Sequence, residues 1–217
     1  KEGKKFKIFI LDSKDSFTKD KLFFSEWSLN YPNLIEWVSR KNGGLVESVD
    51  LKSKLVKTKT GLKFKGDFIH VIPEQRASDL ISDSGLINQD WCEVNPIDFE
   101  LIGHKDIFVL GDSINAWAMP KSAFSANSQA KILSANLINK ILGKELINPV
   151  FLNTCYSFSS DNRAFSISSW YRLNSNKDRI VSLGTIESDI NSSNLERIKE
   201  SREAYSWYRT ITKEIYG

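Results

Sequence analysis

Residues 106–143 read DIFVLGDSINAWAMPKSAFSANSQAKILSANLINKILG, and the organisation of the chain turns on them. Ile107 to Leu110 is a short apolar run of the kind that forms a buried strand, and Gly111-Asp112 closes it. A loop ending in Met119-Pro120 leads to a helix beginning near Lys121. Its apolar positions Ala126, Ala130, Leu133, Leu137 and Ile141 recur at helical spacing. Strand, acid, loop and helix in this order form an α/β unit, in which ligands bind beyond the carboxyl ends of the strands. Asp112 then offers a carboxylate to ligand hydroxyls. The helix N-terminus beside it, with Lys121, offers a positive field to an anionic edge. A well-capped core helix accounts for the same residues, and the two readings are compatible.

Towards the N-terminus, Lys5 to Leu11 reads as a strand ending in Asp12, where a carboxylate can meet a ribose. No Gly-x-Gly-x-x-Gly precedes it, so the chain is expected to begin inside a Rossmann-like unit, as a piece of a longer protein. Lys19–Asn30 and Asn33–Lys41 read as two helices split by Tyr31-Pro32, the second with a stripe of Leu34, Ile35, Trp37 and Val38. Gly43-Gly44 ends that pair. Strands are expected over Leu45–Asp50, Ser53–Thr58 and Leu62–Gly66, the last two turning at Thr60-Gly61. Asp67–Pro73 reads as a buried strand with His70 as a core or edge histidine. A short helix around Ser78–Ser82 and a short strand over Trp91–Val94 follow, and His104 falls in a solvated loop.

Towards the C-terminus, Val150–Phe158, Ala164–Leu173 and Arg179–Leu183 read as three antiparallel strands joined by polar turns. Phe165, Ile167 and Ser169 take one face of the middle strand. A terminal helix runs from an Asn194 cap to about Tyr216, with Ala204, Trp207, Tyr208, Ile211 and Ile215 on one side. The fold class is therefore α/β, turning α+β at the C-terminus: partial Rossmann-like nucleotide-binding units, then a small antiparallel sheet with a terminal helix.

Composition excludes several functions. The 217 residues are 41% hydrophobic and 26% charged, with a net charge of +3 spread along the chain, which makes no case for nucleic acid. No apolar run approaches the ~20 residues of a transmembrane helix, and no signal peptide is visible. Two cysteines and two histidines lack metal-ligand spacing, so no metal is expected. No Gly-x-Ser-x-Gly is present. On residues alone Cys155 is a small strand residue and Cys92, beside Trp91, is structural; a bridge between them is a formal alternative.

Gly111-Asp112, Met119-Pro120-Lys121-Ser122 and Ser125-Ala126-Asn127-Ser128-Gln129-Ala130, taken as one string, resemble the FAD-binding motif of sulfide dehydrogenase flavoproteins, the flavin subunits of flavocytochrome c. Ile10-Leu11-Asp12, Gln75-Arg76-Ala77, Leu152-Asn153-Thr154-Cys155-Tyr156-Ser157 and Ser206-Trp207-Tyr208-Arg209 extend the resemblance over nearly the whole chain, as the C-terminal half of that family. The resemblance implies that residues 1–75 end an NAD-binding-like Rossmann domain, 76–147 return to the FAD-binding domain, and 148–217 form the C-terminal domain. It makes Cys155 one partner of a redox-active disulfide, the other lying upstream of this piece. It sets Asp112 on the ribityl chain of FAD, with Gly111, Met119, Pro120 and Lys121 around the flavin and Trp207 near it. Sulfide is the implied substrate, a c-type cytochrome subunit the acceptor, and the periplasm the setting. Ala123-Phe124 stand where better-known members have Gly-Tyr, which removes a hydroxyl near the flavin. The alternatives are a sulfide:quinone oxidoreductase-like flavoprotein and a non-catalytic module. Half a sheet leaves edges and apolar faces that a second copy would cover.

Overall fold

The computed structural model describes residues 6–87 and 89–217, so Lys5 of the expected first strand, and the residues before it, lie outside the described part. The elements are β1 (Ile8–Leu11), α1 (Asp20–Asn30), β2 (Ile35–Val38), β3 (Val46–Asp50), β4 (Leu55–Thr58), β5 (Lys63–Lys65), α2 (Asp79–Asp83), α3 (Ala123–Ile141), β6 (Val150–Ser160), β7 (Arg163–Leu173), β8 (Ile180–Glu187) and α4 (Asn194–Tyr216). The mixture of helices and strands, ending in a three-stranded antiparallel sheet and a terminal helix, is the expected α/β class. Two compact units share the chain. The first takes residues up to Pro73, Phe158–Phe165 and Asp189–Gly217; the second takes Glu74–Ser157 and Ser166–Ser188.

In the first unit β1 and β2 pair in parallel, from Ile8 opposite Ile35 to Leu11 opposite Val38. The helix expected over Asn33–Lys41 is thus a strand and a short 3-10 turn. Asn33 is left-handed, with φ of 62°, so no helix can run through it. Ile35, Trp37 and Val38 then suit a pleated surface, and the Trp37 indole donates to the Asp12 carboxylate at 3.1 Å. Gly44 passes so close to β2 that an added Cβ would lie 1.9 Å from the Val38 carbonyl oxygen. β3, β4 and β5 form an antiparallel meander, with the predicted turn at Thr60-Gly61. The buried strand expected over Asp67–Pro73 does not form: Phe68 and Ile72 are 84% and 76% exposed, and His70 is an exposed loop residue. The meander ends at β5, so this segment has no ladder to join.

Phe17, Phe23, Phe24, Trp27 and Trp37 pack as an aromatic cluster in this unit, and Phe165 meets Phe23 edge-on. Beside it Glu26 is buried. Its carboxylate accepts from Arg163 at 2.8 and 2.9 Å, from the Ser159 hydroxyl at 2.7 Å and from Arg197 at 3.2 Å. The cap of α4 is Ser193, one residue before the expected Asn194: its hydroxyl accepts from the Glu196 N–H while the Glu196 carboxylate accepts from the Ser193 N–H. The buried face of α4 carries Arg197, Ser201, Ala204 and Ile211; Tyr208 and Ile215 of the expected stripe are exposed.

In the second unit the core gathers Cys92, Val94, Phe99, Leu101, Ile114, Ala116, Met119, Phe151, Tyr171, Leu173 and Ile180. The strand expected over Ile107–Leu110 reduces to one bridge, Phe108 with Glu100, and Trp91–Val94 contributes two more, Cys92 with Ile114 and Val94 with Leu101. Left-handed Phe99 and Asp106 turn the chain too sharply for longer ladders. Here β7 buries Ser169, Tyr171 and Leu173 on alternate positions, and β8 continues to Glu187 rather than ending at Leu183.

The buried face of α3 is not the expected apolar stripe. It carries Ser125, Gln129 and Asn136, while Ile141 is 75% exposed. Asn136 is fully buried and donates to the Ile97 and Ile147 carbonyls at 2.8 and 3.2 Å, while accepting from the Ile147 N–H at 2.7 Å. Ile132 and Leu133 supply the apolar contact between these amides.

Candidate functional site

The start of α3 is where the sequence places a cofactor, and a web of neutral side chains builds it. Ser122 is the cap residue: its hydroxyl accepts from the Ser125 N–H at 3.0 Å and donates to Asn153 Oδ1 at 2.6 Å. Ser125 donates to the same oxygen at 3.3 Å, and Ser128 accepts the Leu152 N–H at 3.1 Å. The first half of β6 is therefore stitched to the first turns of α3. Two residues along β6, the half-buried Cys155 Sγ lies 3.4 Å from Asn153 Nδ2 and 3.6 Å from its Oδ1. The thiol and the N-terminus of α3 are thus brought together by one buried amide.

The Gly111–Ser113 turn is held from two sides. Gly111 donates its N–H to the buried Gln129 Oε1 at 2.7 Å, and Gln129 Nε2 reaches Met119 Sδ at 3.8 Å. Gly111 adopts φ of +73°, and an added Cβ would press to 3.3 Å from the Ala126 Cβ, so the turn lies directly on α3. On the other side Lys121 Nζ donates to the carbonyls of Asp112 and Ile114 at 2.9 and 2.6 Å, 3.6 Å from the centre of the Trp91 ring. Burial pushes the Lys121 ammonium down, opposed by Asp112. Its charge is engaged by the turn rather than aimed out from the helix end. The Asp112 side chain stays exposed. Pro120 precedes this lysine at the mouth of the loop and is exposed.

Cys92 is fully buried in the core, paired through its backbone to Ser113 and Asn115, and burial pushes its thiol up. Both cysteines are thiols, so the formal Cys92–Cys155 bridge is absent. Trp207 belongs to the first unit, half-buried on α4. His104 is partly exposed in its loop. No group of three or more metal-ligating side chains is found among the described residues.

Two family models match. Residues 1–73 match the central part of the sulfide dehydrogenase [flavocytochrome c] flavoprotein chain, and residues 147–216 match the flavin-binding part of flavocytochrome c sulfide dehydrogenase. The chain belongs to the flavocytochrome c sulfide dehydrogenase flavoprotein family. It is therefore a subunit of an oxidoreductase whose cofactor is FAD. The flavin-binding match contains Asn153, Cys155 and Trp207; Gly111, Asp112, Met119, Pro120 and Lys121 lie between the two matches.

The residues fit a flavin. An exposed carboxylate suits ligand hydroxyls, a capped helix N-terminus suits the anionic edge of a reduced ring, and the close-packed Gly111 turn sets one against the other. Asn153 and Gln129 are the residues that sequence reading missed. Both are neutral amides inside runs that read as strand and helix. The signal that could have found Gln129 is its spacing, four residues after Ser125 and seven before Asn136, which marks a polar buried face.

Proposed function

We propose that this chain carries the flavin-facing half of a sulfide dehydrogenase site, with Cys155 as the sulfur that reports to the cofactor. The observation that supports this most is the Asn153 link, which joins Cys155, within the segment matched as flavin-binding, to the N-terminus of α3 outside it. Asp112 holds ribityl hydroxyls, Gly111 and Met119 form the close turn beneath them, and Lys121 fixes that turn from behind. The bound FAD supplies a two-electron acceptor. In the reaction, hydrosulfide attacks the disulfide between Cys155 and a second cysteine contributed from outside these 217 residues. The S–S bond breaks, a persulfide forms on the second cysteine, and Cys155 leaves as the thiolate. Cys92 does not serve as that second cysteine, because it is fully buried in the core. Transfer of the persulfide's outer sulfur to a second hydrosulfide, as HSS−, would free the second cysteine as a thiolate. The two cysteines would then re-form their S–S bond, giving up an electron pair to the bound FAD and from there to a c-type cytochrome. Among the described residues, no helix is long and apolar enough to cross a membrane.

The test is Cys155→Ser in the flavin-loaded flavoprotein, followed by anaerobic addition of sulfide. Bleaching of the visible band of the oxidised flavin should be lost, while dithionite still bleaches it. Undiminished bleaching by sulfide would remove Cys155 from the reaction.

A further inference from the structure

We infer that Asn153 is a positioning residue that sets the reactivity of Cys155, an inference that rests on reading Cys155 as the reacting sulfur. Asn153 is only 3% exposed, and its amide can be oriented from its partners. The Ser122 hydroxyl already accepts the Ser125 N–H, so its own hydrogen is available for Asn153. Asn153 Oδ1 takes that hydrogen at 2.6 Å and a second from Ser125 at 3.3 Å. With the oxygen so fixed, the edge of the amide nearest the sulfur, at 3.4 Å, is an N–H donor.

The consequence is a partner for the sulfur in both of its charge states. As a thiol, Cys155 donates weakly to Oδ1 at 3.6 Å. As a thiolate it loses that contact and gains a charge-assisted hydrogen bond from Nδ2. Oδ1 is not left unsatisfied, because the two serine hydroxyls remain on it. An uncharged donor also adds no counter-ion that would have to be separated from the sulfur when it forms a disulfide. Ser122 thus has two tasks: it caps α3 and it holds the amide the right way round.

Asn153→Asp in the flavoprotein chain tests this. The carboxylate keeps the size and still accepts from both serines, but it presents negative charge to the sulfur. Alkylation of Cys155 by iodoacetamide, read by peptide mass without sulfide or added FAD, should slow about tenfold at neutral pH. Its pH profile should move to higher pH. Cys92, fully buried, is the folding control in the same digest and should stay protected. An unchanged Cys155 rate and profile with Cys92 still protected overturns the inference. Should Asn153→Asp expose Cys92, the double change Ser122→Ala and Ser125→Ala decides instead. Freed to turn over, the amide should then give slower alkylation by about threefold, and no slowing overturns the inference. Since neither measurement uses sulfide, failure here leaves the Cys155→Ser test standing, and failure there leaves this one interpretable.

Discussion

Glu26 in the first unit and Asn136 in the second are both buried side chains that tie a helix to distant segments, but one is an ion and the other a neutral amide. Glu26 on α1 gathers Arg163 of β7 and Arg197 of α4, segments far apart in sequence that a charge can collect through several oxygen contacts at once. Asn136 reaches backbone groups instead, at Ile97 and Ile147. The second unit repeats that choice with Gln129 on Gly111 and Asn153 on the α3 cap. Among its described residues the strongly buried carboxylate is Asp98, which accepts from the Glu100 N–H and faces Lys140 at 3.8 Å. The difference teaches that an ion gathers the scaffold of the first unit, whereas the buried amides of the second hold their partners without ionising, the Lys121 ammonium on the Gly111–Ser113 turn being the charged contact beside them.

The largest effect should come from removing the ion at the centre of the first unit. Glu26→Ala leaves Arg197, 1% exposed in its side chain, without its buried partner. Arg197 keeps Glu200 at 3.2 Å and the Asp189 carbonyl at 2.7 Å, so the loss should lie at the lower end of the about 3–5 kcal/mol that breaking a buried ion pair costs. Urea unfolding measures the loss, and hydrogen exchange should place the lost protection in α1 and α4. A loss spread evenly over β6–β8 and α3 would break the comparison.

Acid should produce the next largest effect. Burial by itself pushes the Glu26 carboxyl up, but hydrogen bonds from Arg163, Ser159 and Arg197 overcome it and hold the group at about 2, against an ordinary 4.5. The pKa is lower folded than unfolded, so the stabilisation is present above about pH 4.5 and is lost as pH falls towards 2. The shift corresponds to about 3 kcal/mol in total. Stability measured through that window should fall in the native chain and stay flatter in Glu26→Gln. Parallel curves for the two proteins would show that the ion pair is not what titrates.

The sequence revealed most where period and punctuation agreed. The β3–β5 meander announced itself through Thr60-Gly61, and the long C-terminal hairpin through alternation from Phe165 onward. The Ile35–Val38 strand was misread because four residues of mixed pattern fit either period, and only the left-handed Asn33 and the pairing with β1 decide it. Ile107–Leu110 is apolar enough for a strand, yet its ladder partners lie in tight turns that permit a single bridge. Asp67–Pro73 has a strand's composition and no neighbour to pair with. At the candidate site, Gly111 and Asp112 stood out by type and Cys155 through the family resemblance, but the groups that assemble them did not. Gln129, Asn136 and Asn153 are buried only because each meets specific backbone or hydroxyl partners, and those pairings exist only after folding.

Asn136 gives the smallest of these effects and the sharpest test of the comparison. Its amide satisfies the Ile97 carbonyl and both backbone groups of Ile147, all in part-buried positions. Asn136→Ala removes these partners and leaves a small void beside Ile132 and Leu133, a combined loss of about 2 kcal/mol. Because no ionisable group takes part, the loss should be equal at neutral pH and at about pH 3, where Glu26 is already partly compromised. A loss that shrinks in acid would mean that the α3 latch shares the ionic character of the first unit. If it stays constant while Glu26→Ala loses most of its effect in acid, the two units have been separated by chemistry as well as by chain. Asn136→Asp supplies the complementary arm. A carboxylate there keeps the contact to the Ile147 N–H but faces two carbonyl oxygens, so its destabilisation should lessen as acid protonates it, opposite in sign to the native response of Glu26.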